Sequence, residues 1–501
     1  MRGRTVLWAG IIAGWALLAL NSAVLQPWTL DDAYITMRYA DHLAGGHGPV
    51  YNLGERVEGY TCFLWMVLLA AGRAVGAQTE AWSKVLGLVL AGGTIVAVGW
   101  IGARWSSART GGAAALILGG STVFTTWAMS GMEVPLVAAM ITLTAAAALD
   151  SHGGPRAGWI AGVGAALALL VRPDSAVAVL SVLAGGALAH RDGRGVRALF
   201  AISAIYLPYF LWRWAWYGWL LPNTFYAKVG ATEAQVSRGL DYAVGFVGAT
   251  PGLSLAALVG LVLAVRGREW AWVACGAAVA LHGAYVVSVG GDVMPAYRFF
   301  AGLLPLLALV AARALDPMDP RVALGAVLVL VGSAQGLGYT HPDLYGRVQN
   351  GNVGRNGREV GLWLAANLPP DTRIATNTAG SVPYFSGLPT IDMLGLNDAT
   401  IAHTPAPRLG TGKAGHERAN GAYVLDRRPD VVLLGAARGS RRAVFRSDRQ
   451  LVADPRFSED YAVRTAALPS GAELTVWLRR DRADLAAAFA PTRARRRGRR
   501  E

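Results

Sequence analysis

The sequence predicts a mainly α-helical, polytopic membrane protein with a small mixed α/β domain toward its C-terminal end. Three observations carry this. Apolar residues fill 53% of the 501 positions and charged residues only 16%, and the mean hydropathy is +0.37. The apolar residues fall into Ala-, Leu-, Val- and Gly-rich runs, many close to the ~20 residues a helix needs to cross a bilayer. After about residue 340 the composition shifts to Pro, Asp, Arg and Asn, and no later run is long enough to span.

The elements follow in order. The opening MRGR and the apolar run 5–25 have the charge pattern of a signal sequence. The run is longer than a signal core and lacks a small-residue cleavage site, so it is read as a retained first span. Further spans are expected at 82–103, 111–128, 133–150, 158–172, 175–190, 197–216, 245–265, 270–289, 299–315 and 321–339, about eleven in all. The run CFLWMVLLAAGRAVG, 62–76, is too short to cross and is expected to be an interfacial or re-entrant helix. Tryptophans cluster at run ends, as at Trp212, Trp214, Trp216 and Trp219, where amphipathic rings anchor a helix at the headgroup level.

The positive-inside rule orients this topology. Arg2, Arg4, Arg104, Arg109, Arg156, Arg191, Arg194, Arg197, Arg266, Arg268, Arg313 and Arg321 then fall in cytoplasmic loops. The opposite loops hold Asp31-Asp32, Ser130 to Glu133, Arg172 to Asp174, Pro222 to Lys228 and Gly290 to Arg298. That convergence was not used to place the spans, and it points to a site on the extracytoplasmic face. The organisation is therefore a transmembrane domain over 1–340 with a first extracytoplasmic loop at 27–81, an extracytoplasmic α/β domain over 341–485, and a basic, disordered tail over 486–501. In the α/β domain EVGLWLAANL has helical period, and RIATN and VVLLGAA read as short buried strands.

Composition also excludes functions. The net charge of +14 rests on basic residues spread over short loops and the tail, which fits topology and anionic lipid rather than nucleic acid. Two cysteines, Cys62 and Cys275, support neither a disulfide framework nor a thiolate metal site. His42, His47 and His403 have no paired spacing. No internal repeat suggests a transporter built of related halves.

Asp31 and Asp32 stand just past the first span. An adjacent acidic pair there is either a solvated helix end or a functional group: a general base for glycosyl transfer, or a ligand set for a divalent cation such as Mg or Mn held against a leaving phosphate. Tyr34, Tyr60, Trp127, Tyr226 and Tyr297 are either belt residues or sugar-stacking rings. Asp392, Asn397, Asp398, His403, His416 and Glu417 form a polar stretch that either binds glycan or builds loops.

The pair opens the long loop DDAYITMRYADHLAGGHGPVYNLGERVEGYTCFLW. Together with AMSGMEVPL, LLVRPDS, LPNTFYAKVG, GGDVMPAYRF, IDMLGLNDATIAHT and RRPDVVLL, over most of the chain, it resembles the actinobacterial arabinofuranosyltransferases that add terminal beta-linked arabinose to cell-wall arabinan. Those are GT-C membrane glycosyltransferases of the plasma membrane. The resemblance implies a decaprenyl-phosphoryl-arabinose donor and an acceptor in arabinogalactan or lipoarabinomannan. It implies a catalytic base at Asp31 or Asp32 and a second acidic residue at Glu133. Arg38, Arg172, Lys228 and Arg298 are the implied cations for a lipid phosphate, and Asn223, Asp174 and Asp292 are further cavity candidates. Related mannosyl- or glucosyltransferases share these motifs. A lipid-linked sugar transporter or flippase, or a non-catalytic assembly factor on the same scaffold, is the competing class; transport favours mid-membrane charges and internal symmetry.

Overall fold

The computed structural model describes residues 2–25, 27–154, 156–230, 232–345, 348, 353–406 and 409–489. The basic tail from 490 onward lies outside the described residues, as does the side chain of Arg2. The chain divides into two compact units: Met1–Trp28 with Thr61–Gly218 and Ala231–Gly351, and Thr29–Tyr60 with Trp219–Gly230 and Asn352–Glu501. These are called the helical unit and the sheet unit. The expected linear boundary near 340 is incomplete, because two upstream segments fold with the C-terminal one.

Among the described residues, six helices of the helical unit are long and apolar enough to cross a membrane: Gly3–Leu25, Thr79–Trp105, Pro173–His190, Arg194–Tyr217, Trp270–Ser288 and Pro320–Thr340. Several expected spans are not continuous helices. The run 111–128 is divided into Ala108–Gly119 and Thr122–Ala128, with Ser121 capping the second by accepting from Phe124 N. The expected 245–265 span is bent by 94° between Glu233–Ala249 and Pro251–Gly267, where Pro251 begins a new helix. The run 299–315 is divided into Arg298–Ala301 and Leu304–Arg313. Phe63–Ala74, at 12 residues, is too short to cross, as expected.

Small residues let these helices approach closely. A Cβ on Gly10 would lie 2.2 Å from the Gly112 carbonyl oxygen, and one on Gly119 would lie 2.3 Å from that of Gly14. Leu25, Met129, Tyr345 and Val348 close one end of the unit as a small apolar cluster.

Among the described residues the sheet unit holds five strands: β1 (Ile374–Thr376), β2 (Thr390–Asp392), β3 (Val431–Leu433), β4 (Tyr461–Ala467) and β5 (Glu473–Arg479), in the order β2-β1-β3-β5-β4. β1 runs parallel to β2 and β3, while β5 is antiparallel to β3 and β4. RIATN and VVLLGAA supply β1 and β3. Because side chains alternate, Ile374, Val431 and Leu433 pack one face with Val360 and Leu364 of the helix Val353–Asn367. Ala375 and Val432 pack the other face with Ile391, Ile401 and Phe457.

Candidate active site

The sheet unit contains the acidic pair. Asp31 and Asp32 begin the helix Asp31–Ala44, whose next residues, Ala33 to Ala40, are buried. The Asp31 carboxylate is turned onto the segment leading into the helix Ser381–Ser386. It accepts from Ser381 N at 2.9 Å, from Gly380 N at 3.3 Å and from the Ser381 hydroxyl. A Cβ at Gly380 would lie 1.9 Å from the Asp31 carbonyl oxygen, so only glycine admits this approach. Ser381 is braced from behind by Gly357 and Gly361 of the helix Val353–Asn367, where added Cβ atoms would lie 1.9 Å from Ser381 Oγ and 2.8 Å from Val382 O. Burial pushes the Asp31 carboxyl up to about 6 despite the Ser381 hydrogen bonds that oppose the shift.

Asp32 differs. It is half-buried and, among the described residues, accepts no hydrogen bond and forms no ion pair. Its charge reaches His416, whose imidazole burial lowers, while Lys413 and Lys228 oppose and Asp32 favours the protonated form. The Lys228 side chain runs past Gly415, 3.1 Å from where a Cβ would stand. The charges of Asp32, Lys228 and Lys413 are thus all felt at the His416 imidazole.

A divalent cation needs carboxylate oxygens with unused lone pairs aimed at one point. The Asp31 oxygens already accept three donors, and among the described residues no group of three or more His, Cys, Asp or Glu side chains converges as ligands would. The Asp31–Asp32 pair does not fit the Mg or Mn site expected of it.

Other expected residues of this unit are committed to the fold. Arg38, expected as a phosphate ligand, is 5% exposed and donates to the carbonyls of Tyr51 at 2.7 Å, Leu388 at 2.9 Å and Pro383. Its guanidinium also covers the Tyr51 ring at 4.8 Å. Three of the five N–H donors of this buried cation are thereby spent on backbone carbonyls. Asn223 donates to Gly395 O and Leu396 O, both at 2.9 Å, and is also buried. Tyr34 packs in the core against Tyr384 and Phe385 at 5.3 and 5.1 Å. Tyr226 stacks on His403 at 4.3 Å, with Trp219 on the same imidazole at 4.2 Å. The stretch from Asp392 to Asp398 is loop chemistry. Asp392 accepts from Leu394 N, Asn397 N and Asn397 Nδ2, and burial pushes it up to about 6. Asp398 caps Ala399–His403. Glu417 accepts from Gly410 N and Gly412 N.

The helical unit holds a second cluster. Arg172 donates to Glu133 at 2.7 Å and in fork geometry to Asp174 at 3.0 and 2.7 Å. Arg298 Nε lies 2.7 Å from Asp292, an ion pair at an angle outside hydrogen-bond geometry. Both guanidinium groups lie over the Phe299 ring, Arg172 at 5.1 Å and Arg298 at 5.2 Å from its centroid. Buried His282 of Trp270–Ser288 couples electrostatically to Arg172 and Asp174. The segment bearing Arg298 is strained: Ala296 and Tyr297 have φ of 52° and 47°, and Trp127 Nε1 pins the Ala296 carbonyl at 2.8 Å. Ser381, Phe299, His282 and His416 as an Asp32 neighbour are the site features that sequence reasoning missed.

A family model described as Domain of unknown function (DUF8728) matches residues 345–484. The chain is similar to the terminal beta-(1->2)-arabinofuranosyltransferase of Mycobacterium tuberculosis, 30% identical over 262 residues, 48% of this chain and 41% of that protein. It is also similar to the enzyme of that name from Corynebacterium glutamicum, 28% identical over 361 residues, 62% of this chain and 50% of that protein. The chain thus spans about half the length of the curated relatives it matches. The structure of ArnT from Cupriavidus metallidurans in the apo state superposes with a TM-score of 0.63, covering 97% of this chain and 98% of that one at 14% identity. The same protein bound to undecaprenyl phosphate gives 0.55, covering 77% and 85%. The fold is therefore of the GT-C type expected from the sequence.

Proposed function

We propose that this chain is a glycosyltransferase of the plasma membrane that moves arabinofuranose from a polyprenyl-phosphate donor to a cell-envelope glycan on the extracytoplasmic face, with inversion. The similarity to two arabinofuranosyltransferases supports the sugar, and the fold shared with a protein crystallised with undecaprenyl phosphate supports the carrier.

The observation that carries the reading is the division of labour in the acidic pair. Asp31 is consumed by Ser381 and Gly380, and Asp32, which accepts no hydrogen bond among the described residues, keeps its oxygens available within electrostatic reach of His416. Asp32 is the general base. The acceptor hydroxyl oxygen attacks the anomeric carbon from the face opposite the phosphate, and its proton passes to the Asp32 carboxylate. The bond from the anomeric carbon to the phosphate oxygen breaks, and polyprenyl phosphate departs with the electron pair. Lys228 supplies a positive charge for that phosphate. Within the helical unit Glu133 and Asp174 neutralise Arg172, while Arg298 pairs with Asp292. Glu133 and Asp174 hold Arg172 in place.

The test is transfer of radiolabelled arabinose from decaprenyl-phosphoryl-arabinose to a synthetic arabinan by the purified, folded chain. Transfer is expected. Its absence, with transfer from mannose or glucose carriers instead, would keep the mechanism and overturn the sugar; absence from every carrier would overturn the enzyme reading.

A further inference from the structure

We infer that the helical unit also carries a slot for one anionic phospholipid, built from residues that the proposed reaction does not use. Three of its helices begin at one end of the unit. Arg2–Leu25 and Ala108–Gly119 run parallel, with Gly3 beside Ala108, Gly10 against Gly112 and Gly14 against Ala115. Pro320–Thr340 runs the same way: Asp316, just before it, accepts from the Thr110 hydroxyl, while Gln335 Nε2 farther along donates to Gly120 O at 2.7 Å.

Between the three lies a cavity of about 470 Å³ whose length is lined by side chains such as Val6, Ala13, Ala113, Leu116, Leu324 and Val327. Val6 and Leu324 are 44% and 58% exposed, so the slot is open on the side where lipid chains would lie. Its polar lining is confined to the end where the helices begin: Arg109, Thr110 and Asp316. That end is electropositive. Arg4, Arg109 and Arg321 are exposed and form no ion pair with a described residue. The nearby carboxylates are occupied. Asp316 accepts from the hydroxyls of Ser106, at 2.6 Å, and Thr110, and lies 3.8 Å from Arg313; Asp319 caps Arg321 N at 2.9 Å.

An acyl chain matches the apolar length, and a phosphate with no compensating ammonium matches the arginine end. Each basic residue near an anionic headgroup favours it by roughly fivefold. Arg109, which both lines the slot and stands at its mouth, is the main headgroup contact.

The experiment is native mass spectrometry of the full chain with equimolar phosphatidylglycerol and phosphatidylcholine of the same acyl composition. One phosphatidylglycerol is expected to be retained roughly tenfold over phosphatidylcholine. Arg109→Gln should cut that preference roughly fivefold, Arg156→Gln, an exposed arginine outside the slot, should leave it unchanged, and Ala113→Phe should abolish retention of both lipids. Equal retention of the two lipids by the unmodified chain would overturn the proposal. So would an equal effect of Arg109→Gln and Arg156→Gln, or a dimer of the chain that Ala113→Phe dissolves. Should Ala113→Phe misfold, the comparison of the two arginine variants still decides.

Discussion

Asn substitution of the two adjacent aspartates should produce opposite phenotypes. Asp31 is fully used by the fold: two backbone N–H groups and the Ser381 hydroxyl converge on it. Asp31→Asn retains one acceptor oxygen but turns an NH2 group toward donors, leaving one or two buried donors unsatisfied at about 1–3 kcal/mol each. The expected loss is about 2–4 kcal/mol, which for a unit of this size lowers the unfolding midpoint by about 2–4 °C per kcal/mol. Asp32 has no such partners among the described residues, so Asp32→Asn should leave the midpoint within about 0.5 kcal/mol of the unmodified chain. It removes the proposed proton acceptor, however, and general-base catalysis contributes about 10²- to 10⁴-fold.

The assay pairs arabinose transfer at saturating donor with thermal unfolding of the same preparation. Asp32→Asn should lose rate with an unchanged midpoint, while Asp31→Asn should lose midpoint and retain a measurable rate per folded molecule. An Asp31→Asn chain that melts normally and is inert, beside an active Asp32→Asn chain, would refute the assignment.

Further expectations follow from the same geometry. Arg38→Lys cannot reach three carbonyls that a planar guanidinium spans, so it should destabilise the sheet unit by about 2–4 kcal/mol, read by thermal unfolding, without a selective rise in donor KM. Asp392 has a folded pKa of about 6 against 3.8 when unfolded, so the folded state binds more protons between those values and stability falls as pH rises from about 4 to 6. That difference corresponds to about 3 kcal/mol, and the drop in unfolding midpoint between pH 4 and pH 7 should be smaller in Asp392→Asn than in the unmodified chain.

What the sequence disclosed, and what it hid, has a physical pattern. Apolar runs located the helices because lipid solvation depends on composition. They did not show the breaks at 120–121 and 250–251, because a broken helix shielded by neighbours is as apolar as a straight one. The strands RIATN and VVLLGAA were legible as continuous apolar stretches buried on both faces. The acidic pair was legible, but its division was not: Asp31 is sorted by Ser381 and Gly380, about 350 positions away, and a glycine–serine before a short helix carries little signal. The carbonyl clamp made by Arg38 was hidden for a related reason. Its partners are backbone carbonyls, which every residue has, so no sequence pattern distinguishes a structural clamp from a phosphate ligand. Arg172 and Arg298 lie near carboxylates in sequence, at Asp174 and Asp292, and their pairing could have been anticipated from spacing.

The matched domain at 345–484 is best understood as part of a larger folding unit, and this ties the acidic motif to it. Ala379 O accepts from Tyr51, Thr390 exchanges two hydrogen bonds with Asn52, Pro383 O and Leu388 O accept from Arg38, and Gly395 O and Leu396 O accept from Asn223. Together with the three bonds to Asp31, a fragment limited to 345–484 forfeits contacts worth on the order of 10 kcal/mol, at about 1 kcal/mol each. That equals the whole stability of an ordinary domain, about 5–15 kcal/mol. The fragment should therefore be unfolded by circular dichroism and amide exchange, and fusing 29–60 to it through a flexible linker should restore protection at Ser381 and Thr390. A stable, protected fragment without 29–60 would show that the loop is an accessory. Protection only with the loop would mean that the domain fixes the position of Asp32, so that substitutions deep in the sheet unit act on transfer by moving the base.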